Sequence, residues 1–223
     1  MYNCTDAVHK TRIRIPISDF QASLPCFVYN MTQLQNTWVL WEHKQVTKSE
    51  DWKNSMREVC EFSTVEEFWK YWSFIPRPSE VLYDGKSHKE IDGRTIDAFS
   101  VFKKGIRPEW EDPANRTGGE FTCRKTMQPD ILDIYWENMV LGLIGETIDE
   151  ADDVCGCRVV DKSKKGTNRT MFRLELWVRS GCCGQDVADK LRARMADALS
   201  DGEASKPNSK VRVPEFEFKK RSP

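Results

Sequence analysis

The sequence predicts an α+β fold, with helices on one face of an antiparallel sheet, and three observations carry that expectation. Strand-like segments follow one another in hairpin-like succession. Helical periodicity occurs in only three stretches, placed late and apart. No internal repeat is present. With 223 residues, the chain fits one domain with tails or at most two very small ones.

Taken in order, residues 1–33 read as an arm: Ile13, Ile15 and Ile17 alternate like a strand, but Pro16 would confine it to a sheet edge. Thr37–His43 is rich in β-branched and aromatic residues, as a strand prefers. Glu50–Ser55 is a polar loop around Trp52. Thr64 and Glu67 form a capping-box start, and Val65, Phe68, Trp69 and Trp72 follow at i, i+3, i+4 and i+7, so a helix runs from here and ends before Pro76. Asp84-Gly85 and Asp92-Gly93 mark turns within a polar stretch. A strand over Asp97–Phe102 leads into a loop carrying Trp110 and the Gly118-Gly119 pair. Asp130 can cap a second helix that runs to Ile144 and stops at Gly145. Arg158–Lys162 and Met171–Arg179 read as strands joined by a basic turn. Asp186–Leu199 is a third helix, with Val187, Leu191, Met195 and Ala198 on one stripe. From Ser200 the chain is Ser-, Pro- and Lys-rich; 200–223 is expected to be a mobile C-terminal segment, with apolar character returning at Val211–Phe218.

Charge and motif content exclude several classes. Lys+Arg is 34 and Asp+Glu 35, a net charge of −1, whereas coating duplex nucleic acid needs a pronounced cationic excess. No apolar run is long enough to span a bilayer. The opening residues, MYNCTDAVHKTR, lack an apolar h-region, so the expectation is a cytoplasmic protein with no membrane partner and with free thiols. Cys155-Gly-Cys157 and Cys182-Cys183 lack zinc-knuckle spacing and have no nearby His; they read as small buried hydrophobes on strands. No metal or cofactor is expected. The three His are scattered, the four Asn-x-Thr sequons are chance matches without secretion, and no Walker loop, GxGxxG, HExxH or GxSxG occurs.

Tryptophan is the strongest signal, with eight in the chain. Trp38, Trp41, Trp72 and Trp136 have core explanations. Trp52 and Trp110 do not, because each is the lone large aromatic among charges and turn formers. One such loop indole ordinarily folds back as a lid on the core. Two together can sandwich a flat ligand, with stacking worth about 1–3 kcal/mol per base and a cation–π term if that ligand is positively charged. Glu111, directly after Trp110, can accept two parallel N–H donors in the plane of a stacked ring, the pair that guanine's N1 and N2 present; otherwise it is an ordinary surface acid. On Phe172–Val178, alternation puts Phe172, Leu174, Leu176 and Val178 on one face and Arg173, Glu175 and Trp177 on the other. Lys162, Lys164 and Lys165 lie just across the turn. That patch suits a short phosphate chain, although lysine-rich turns are usually just solvated. The acidic run Glu146–Asp153 lacks ordered ligand spacing and reads as a solvated loop.

These residues together resemble the eukaryotic translation initiation factor 4E family, which binds the 7-methylguanosine cap of messenger RNA. The resemblance covers about Leu34 to Leu199, which on that basis is the cap-binding domain. It rests on Leu34-Gln-Asn-x-Trp38-x-x-Trp41, Thr64-Val-Glu-x-Phe-Trp69, Trp110-Glu111-Asp112 with Gly118-Gly119, Trp136, Leu143-Ile-Gly-Glu146, Asp153-Val-Cys-Gly156 and Trp177. It implies a curved sheet of about eight strands with three helices on its convex back. It also implies that Trp52 and Trp110 sandwich the methylated base, that Glu111 pairs its edge, that the Trp110 backbone N–H reaches O6, and that Trp177 lies against the N7 methyl. Lys162 and Arg173 match its two phosphate-binding positions. Val65 and Trp69 would dock a helical scaffold of the initiation factor 4G type, or a repressor, together with Glu137, Asn138 and Leu141; by itself the chain would be a monomer. Three departures stand out. Glu120 occupies the place of an arginine after the glycine pair. Glu137 and Asn138 replace a leucine and an acid. Residues 82–95 look like an insertion loop.

Two other classes compete with this reading. A metal-dependent cap phosphohydrolase would use the Glu146–Asp153 acids. An aromatic-cage reader of methylated lysine would likewise set tryptophans and an acid around a cation.

Overall fold

The sheet is built from the strand pattern, and the helices cover only one of its faces. The computed structural model describes residues 31–45, 55–91, 93–164, 166–201 and 213–221. Among these, eight strands and four helices occur: β1 Gln33–Lys44, β2 Met56–Thr64, α1 Val65–Trp72, α2 Pro78–Val81, β3 Glu90–Ile91, β4 Arg94–Lys103, β5 Gly119–Lys125, α3 Pro129–Ile144, β6 Val154–Asp161, β7 Phe172–Val178, α4 Gln185–Leu199 and β8 Glu217–Lys220. Strand order is β2-β1-β4-β6-β7-β5-β8, with β3 pairing β4 as a short hairpin. Every pairing is antiparallel. The α+β expectation holds, and the sheet is curved.

The expected helices form where the sequence placed them. At the α1 start the Thr64 hydroxyl accepts the Glu67 N–H at 3.1 Å, and Glu67 reaches back to the Ser63 N–H at 2.9 Å. For α3 the cap differs. Gln128 is the capping residue and Pro129 opens the helix, so Asp130 lies inside the first turn, where its charge complements the helix dipole. The fourth helix, α2, is one turn opened by Pro78.

β2 and β5 were not singled out from the sequence. For β5 the signal was present: Phe121 and Cys123 are buried and alternate with the partly exposed Glu120 and Thr122. β2 is an edge strand with little burial, so its alternation is weak.

The core lies between the helices and one sheet face. Trp38, Leu40, Phe99, Val101, Val159, Leu174 and Leu176 meet Phe68, Leu132, Trp136, Met139, Leu143, Leu191 and Met195 there. Within the 82–95 stretch, Leu82 and Tyr83 are buried, and Tyr83 donates its N–H to Asp161 at 2.8 Å and its hydroxyl to the Thr167 carbonyl at 3.0 Å. The described part of this stretch is thus tied to the β6–β7 turn.

The expectation of a mobile segment over 200–223 is corrected for Glu217–Lys220. This strand pairs with β5, and Phe218 packs on Phe121 with ring centroids 4.7 Å apart. Residues 202–212 and 222–223, like the arm over 1–30, lie outside the described residues.

Candidate functional site

Strand register fixes which side chains share the face away from the helices. One cross-strand row runs Phe102, Gly156, Trp177, Glu120 and Lys219. The next runs Trp41, Ser100, Arg158, Glu175, Thr122 and Glu217. A third carries His43, Ala98, Val160, Arg173 and Arg124. One row is therefore centred on an aromatic pair, with charged rows beside it.

Trp177 is 1% exposed. Its indole N–H donates to Glu175 at 2.8 Å, and Phe102 meets it edge-on at 5.4 Å and 83°. Trp110 stacks flat on Trp177, with centroids 3.4 Å apart and planes 12° from parallel. The Arg221 guanidinium lies 3.4 Å from the Trp110 ring centroid. Trp177 already covers one face of that indole, so Arg221 takes the other. Trp52 lies outside the described residues.

The loop presenting Trp110 is held by its own polar residues. Asp112 accepts the N–H groups of Arg107 and Ala114, each at 2.9 Å. Asn115 is fully buried and donates its amide to the carbonyls of Arg107 and Glu109 at 2.8 and 2.9 Å. Ser180, just beyond β7, accepts the Thr117 N–H at 3.1 Å and donates to the Pro113 carbonyl at 3.0 Å. Glu111 projects from this framework exposed to solvent. The sequence pointed to Trp110 and Glu111 but not to the residues that hold them; Asp112 followed by Pro113 and Asn115 was the turn signal that could have.

The two phosphate candidates lie at one end of this face. Lys162 is exposed, and its backbone N–H closes the β6–β7 turn on the Met171 carbonyl at 2.8 Å. Partial burial, then the charges of Arg173 and Arg158, hold its ammonium below the ordinary lysine range. Arg173 is ion-paired with Glu175. That carboxylate, fully buried, thus joins the Trp177 indole to the Arg173 guanidinium. Neither Glu175 nor Arg158 was singled out from the sequence as a site residue, because only the strand register brings them together. Burial, followed by the Glu175 charge, raises the Glu120 pKa; Arg221 opposes the shift from 3.8 Å.

On the helical face, Trp69 is 47% exposed. With Trp72, Ile75, Pro76, Trp136 and Glu137 it lines a hollow of about 320 Å³. Asn138 and Leu141 line a neighbouring hollow between α3 and α4, while Val65 lines neither. The acidic run is internally tied rather than merely solvated. Lys103 pairs with Asp149 at 3.3 Å and Asp152 at 2.6 Å, and Arg179 pairs with Asp152 at 3.0 Å. Asp149 also accepts the Asp153 and Val154 N–H groups, each at 2.9 Å. Among the described residues no group of three His, Cys, Asp or Glu side chains is placed to hold a metal. Cys155 and Cys157 are buried on β6, as small hydrophobes, and burial pushes the Cys155 thiol up to about 12. Cys182 and Cys183 lie in the loop between β7 and α4 rather than on a strand. No described helix is long and apolar enough to cross a membrane.

On this face a curved antiparallel sheet sets stacked tryptophans beside basic residues. Residues 33–221 match the family described as Eukaryotic initiation factor 4E. The chain is 36% identical over 167 residues to eukaryotic translation initiation factor 4E-2 of Schizosaccharomyces pombe, covering 74% of this chain and 61% of that protein's length. The chain belongs to the eukaryotic initiation factor 4E family. Among solved structures, C. elegans eIF4E-3 complexed with the 4E-binding protein Mextli has the same fold, with a TM-score of 0.64 at 24% identity, covering 85% of this chain and 93% of that one. So does Ascaris suum eIF4E-3 with an m7G cap, with a TM-score of 0.66 at 24% identity and coverage of 86% and 92%.

Proposed function

We propose that this chain binds the 7-methylguanosine 5′ cap of messenger RNA, without catalysis, and acts in translation initiation or its regulation by recruiting a helical partner. The observation that carries the cap reading is the state of Trp110: one face of its indole already holds a planar cation, the Arg221 guanidinium, at 3.4 Å. A purine methylated at N7 is likewise flat and positively charged, so the same ring quadrupole attracts it. In this reading Trp52 supplies the second wall of the sandwich. The exposed Glu111 carboxylate pairs the guanine N1–H and N2–H, and the Trp110 backbone N–H reaches O6. Lys162 and Arg173 take the phosphates as charge-assisted donors, while Trp177, stacked on the inner face of Trp110, backs that indole instead of meeting the methyl as the resemblance implied. The Ascaris suum protein of the same fold is described with an m7G cap, which agrees with this assignment.

The partner surface is the α1–α3 hollow around Trp69, an exposed aromatic of the kind that anchors helix-in-groove recognition. The C. elegans protein is described with the 4E-binding protein Mextli. Two of the acids a phosphohydrolase reading would draw on, Asp149 and Asp152, are engaged by Lys103, Arg179 and the backbone.

Calorimetric titration of the full chain with 7-methyl-GTP, GTP and a trimethyl-lysine peptide tests the proposal. Tight binding of 7-methyl-GTP is expected, with GTP weaker by about 2 kcal/mol, roughly thirtyfold, for loss of the cation–π term. Equal dissociation constants for the two nucleotides would remove the sandwich. Preference for the peptide would move the site to the aromatic-cage class.

A further inference from the structure

Both faces of Trp110 are occupied in this structure, by Trp177 on one side and Arg221 on the other. No base can stack on that indole until one occupant leaves, and the two are held very differently. Trp177 is 1% exposed, hydrogen-bonded to the buried Glu175 at 2.8 Å, and braced edge-on by Phe102 at 5.4 Å. Arg221 directly follows the four-residue strand β8, at a sheet edge. Its side chain is 38% exposed, its backbone N–H donates to the Gly118 carbonyl at 2.9 Å, and its only ion pair among the described residues is to Glu120, at 3.8 Å. That pair is long, partly exposed and weak. Arg221 is the occupant that yields.

We propose that Arg221 is an internal ligand of the cap site, a guanidinium that covers the outer face of Trp110 in the free protein and must be displaced before the methylated base can stack there. This rests on the cap reading and deepens it. It also gives Glu120 a role: the acid that stands where the family has an arginine faces the end of β8 and holds the plug in position. The plug and the base are both planar cations and compete for one quadrupole. The competition is uniform. A ligand's apparent affinity falls by the fraction of molecules in which the face is open, whichever cap is offered. Arg221 therefore sets how tightly the chain binds a cap without changing which base it prefers, and anything that draws the 213–221 segment away opens the site.

The test is calorimetry of 7-methyl-GTP with the full chain, with Arg221→Ala and with Glu120→Gln. Arg221→Ala is expected to bind tighter by roughly 3- to 30-fold, the range that corresponds to one cation–π contact. Glu120→Gln is expected to shift the same way by a smaller factor, and GTP should tighten in proportion to 7-methyl-GTP. Thermal unfolding of each variant establishes that it is folded. Unchanged or weaker 7-methyl-GTP binding in folded Arg221→Ala, with the wild type binding well, would overturn the plug and leave the cap reading standing. Failure of wild type and variant alike to bind 7-methyl-GTP would overturn the cap reading and the plug with it.

Discussion

Phe102 sets its ring edge-on against Trp177 across a strand that carries no side chain between them. Gly156 is the cross-strand partner of both, and a Cβ added there would fall 2.5 Å from the Phe102 Cγ. The aromatic brace under the proposed base site therefore depends on a missing methyl group.

Gly156→Ala is expected to destabilise the fold by about 1–3 kcal/mol through overpacking and to weaken 7-methyl-GTP binding, because the displaced Phe102 pushes on Trp177. Denaturant unfolding and calorimetry on the same preparation check both effects. Wild-type stability in this variant would show that both Phe102 and the Val101 carbonyl oxygen, the atom nearest to that Cβ, give way freely.

Glu111→Gln should separate binding from folding. The carboxylate is exposed, so stability should stay within about 0.5 kcal/mol of wild type. Cap affinity should fall by about 2 kcal/mol or more, because one acceptor becomes a donor facing a guanine donor. An unchanged dissociation constant for 7-methyl-GTP would take Glu111 out of the site.

Trp69→Ala should abolish binding of a helical scaffold peptide, a loss of about 2 kcal/mol or more, while leaving cap affinity intact. Glu137 shares the Trp69 hollow, and covering its charge with an apolar peptide leaves it unpaired. Glu137→Leu should therefore strengthen a tyrosine-and-leucine peptide. The scaffold this chain prefers should carry a basic residue near Glu137. Calorimetry with one such peptide decides; tight wild-type binding that leucine fails to improve would make the departure neutral.

Asp97 gives a pH signature. Burial pushes its carboxyl up to about 6, against the opposing charges of Arg158 and Lys162. The folded state then holds a proton that the unfolded chain, with a pKa of about 3.9, has already released. Stability from this group is present below about pH 4 and is lost as pH rises to about 6. Asp97→Asn should raise the melting temperature at pH 7.5, by at most about 3 kcal/mol of stability, and do nothing at pH 4. A gain of equal size at both pH values would mean the aspartate does not titrate this way.

Local chemistry was legible in the sequence, and long-range register was not. Thr64, Glu67 and the spacing of Phe68 and Trp72 define α1 within nine consecutive residues, so they could be read directly. Trp110 stood out for the same reason, as an indole with no local apolar pattern to explain it. Alternation on β7 placed Arg173, Glu175 and Trp177 on one face, but not what each of them meets. The Arg158–Glu175 row needs the β6–β7 register, and the Arg221–Trp110 stack joins positions 111 residues apart through β8. Those contacts depend on strand pairing, which no single segment encodes.

β8 follows every other described strand in chain order and covers the outer side of β5. During synthesis, then, the backbone N–H and C=O groups along that side of β5 have no partner until residues 217–220 have been made. A growing polysome holds many such half-finished copies near one another. Unpaired edges of this kind are templates for joining neighbouring chains, so a transcript that ends ahead of Glu217 would leave a protein prone to aggregate rather than merely one with an open site.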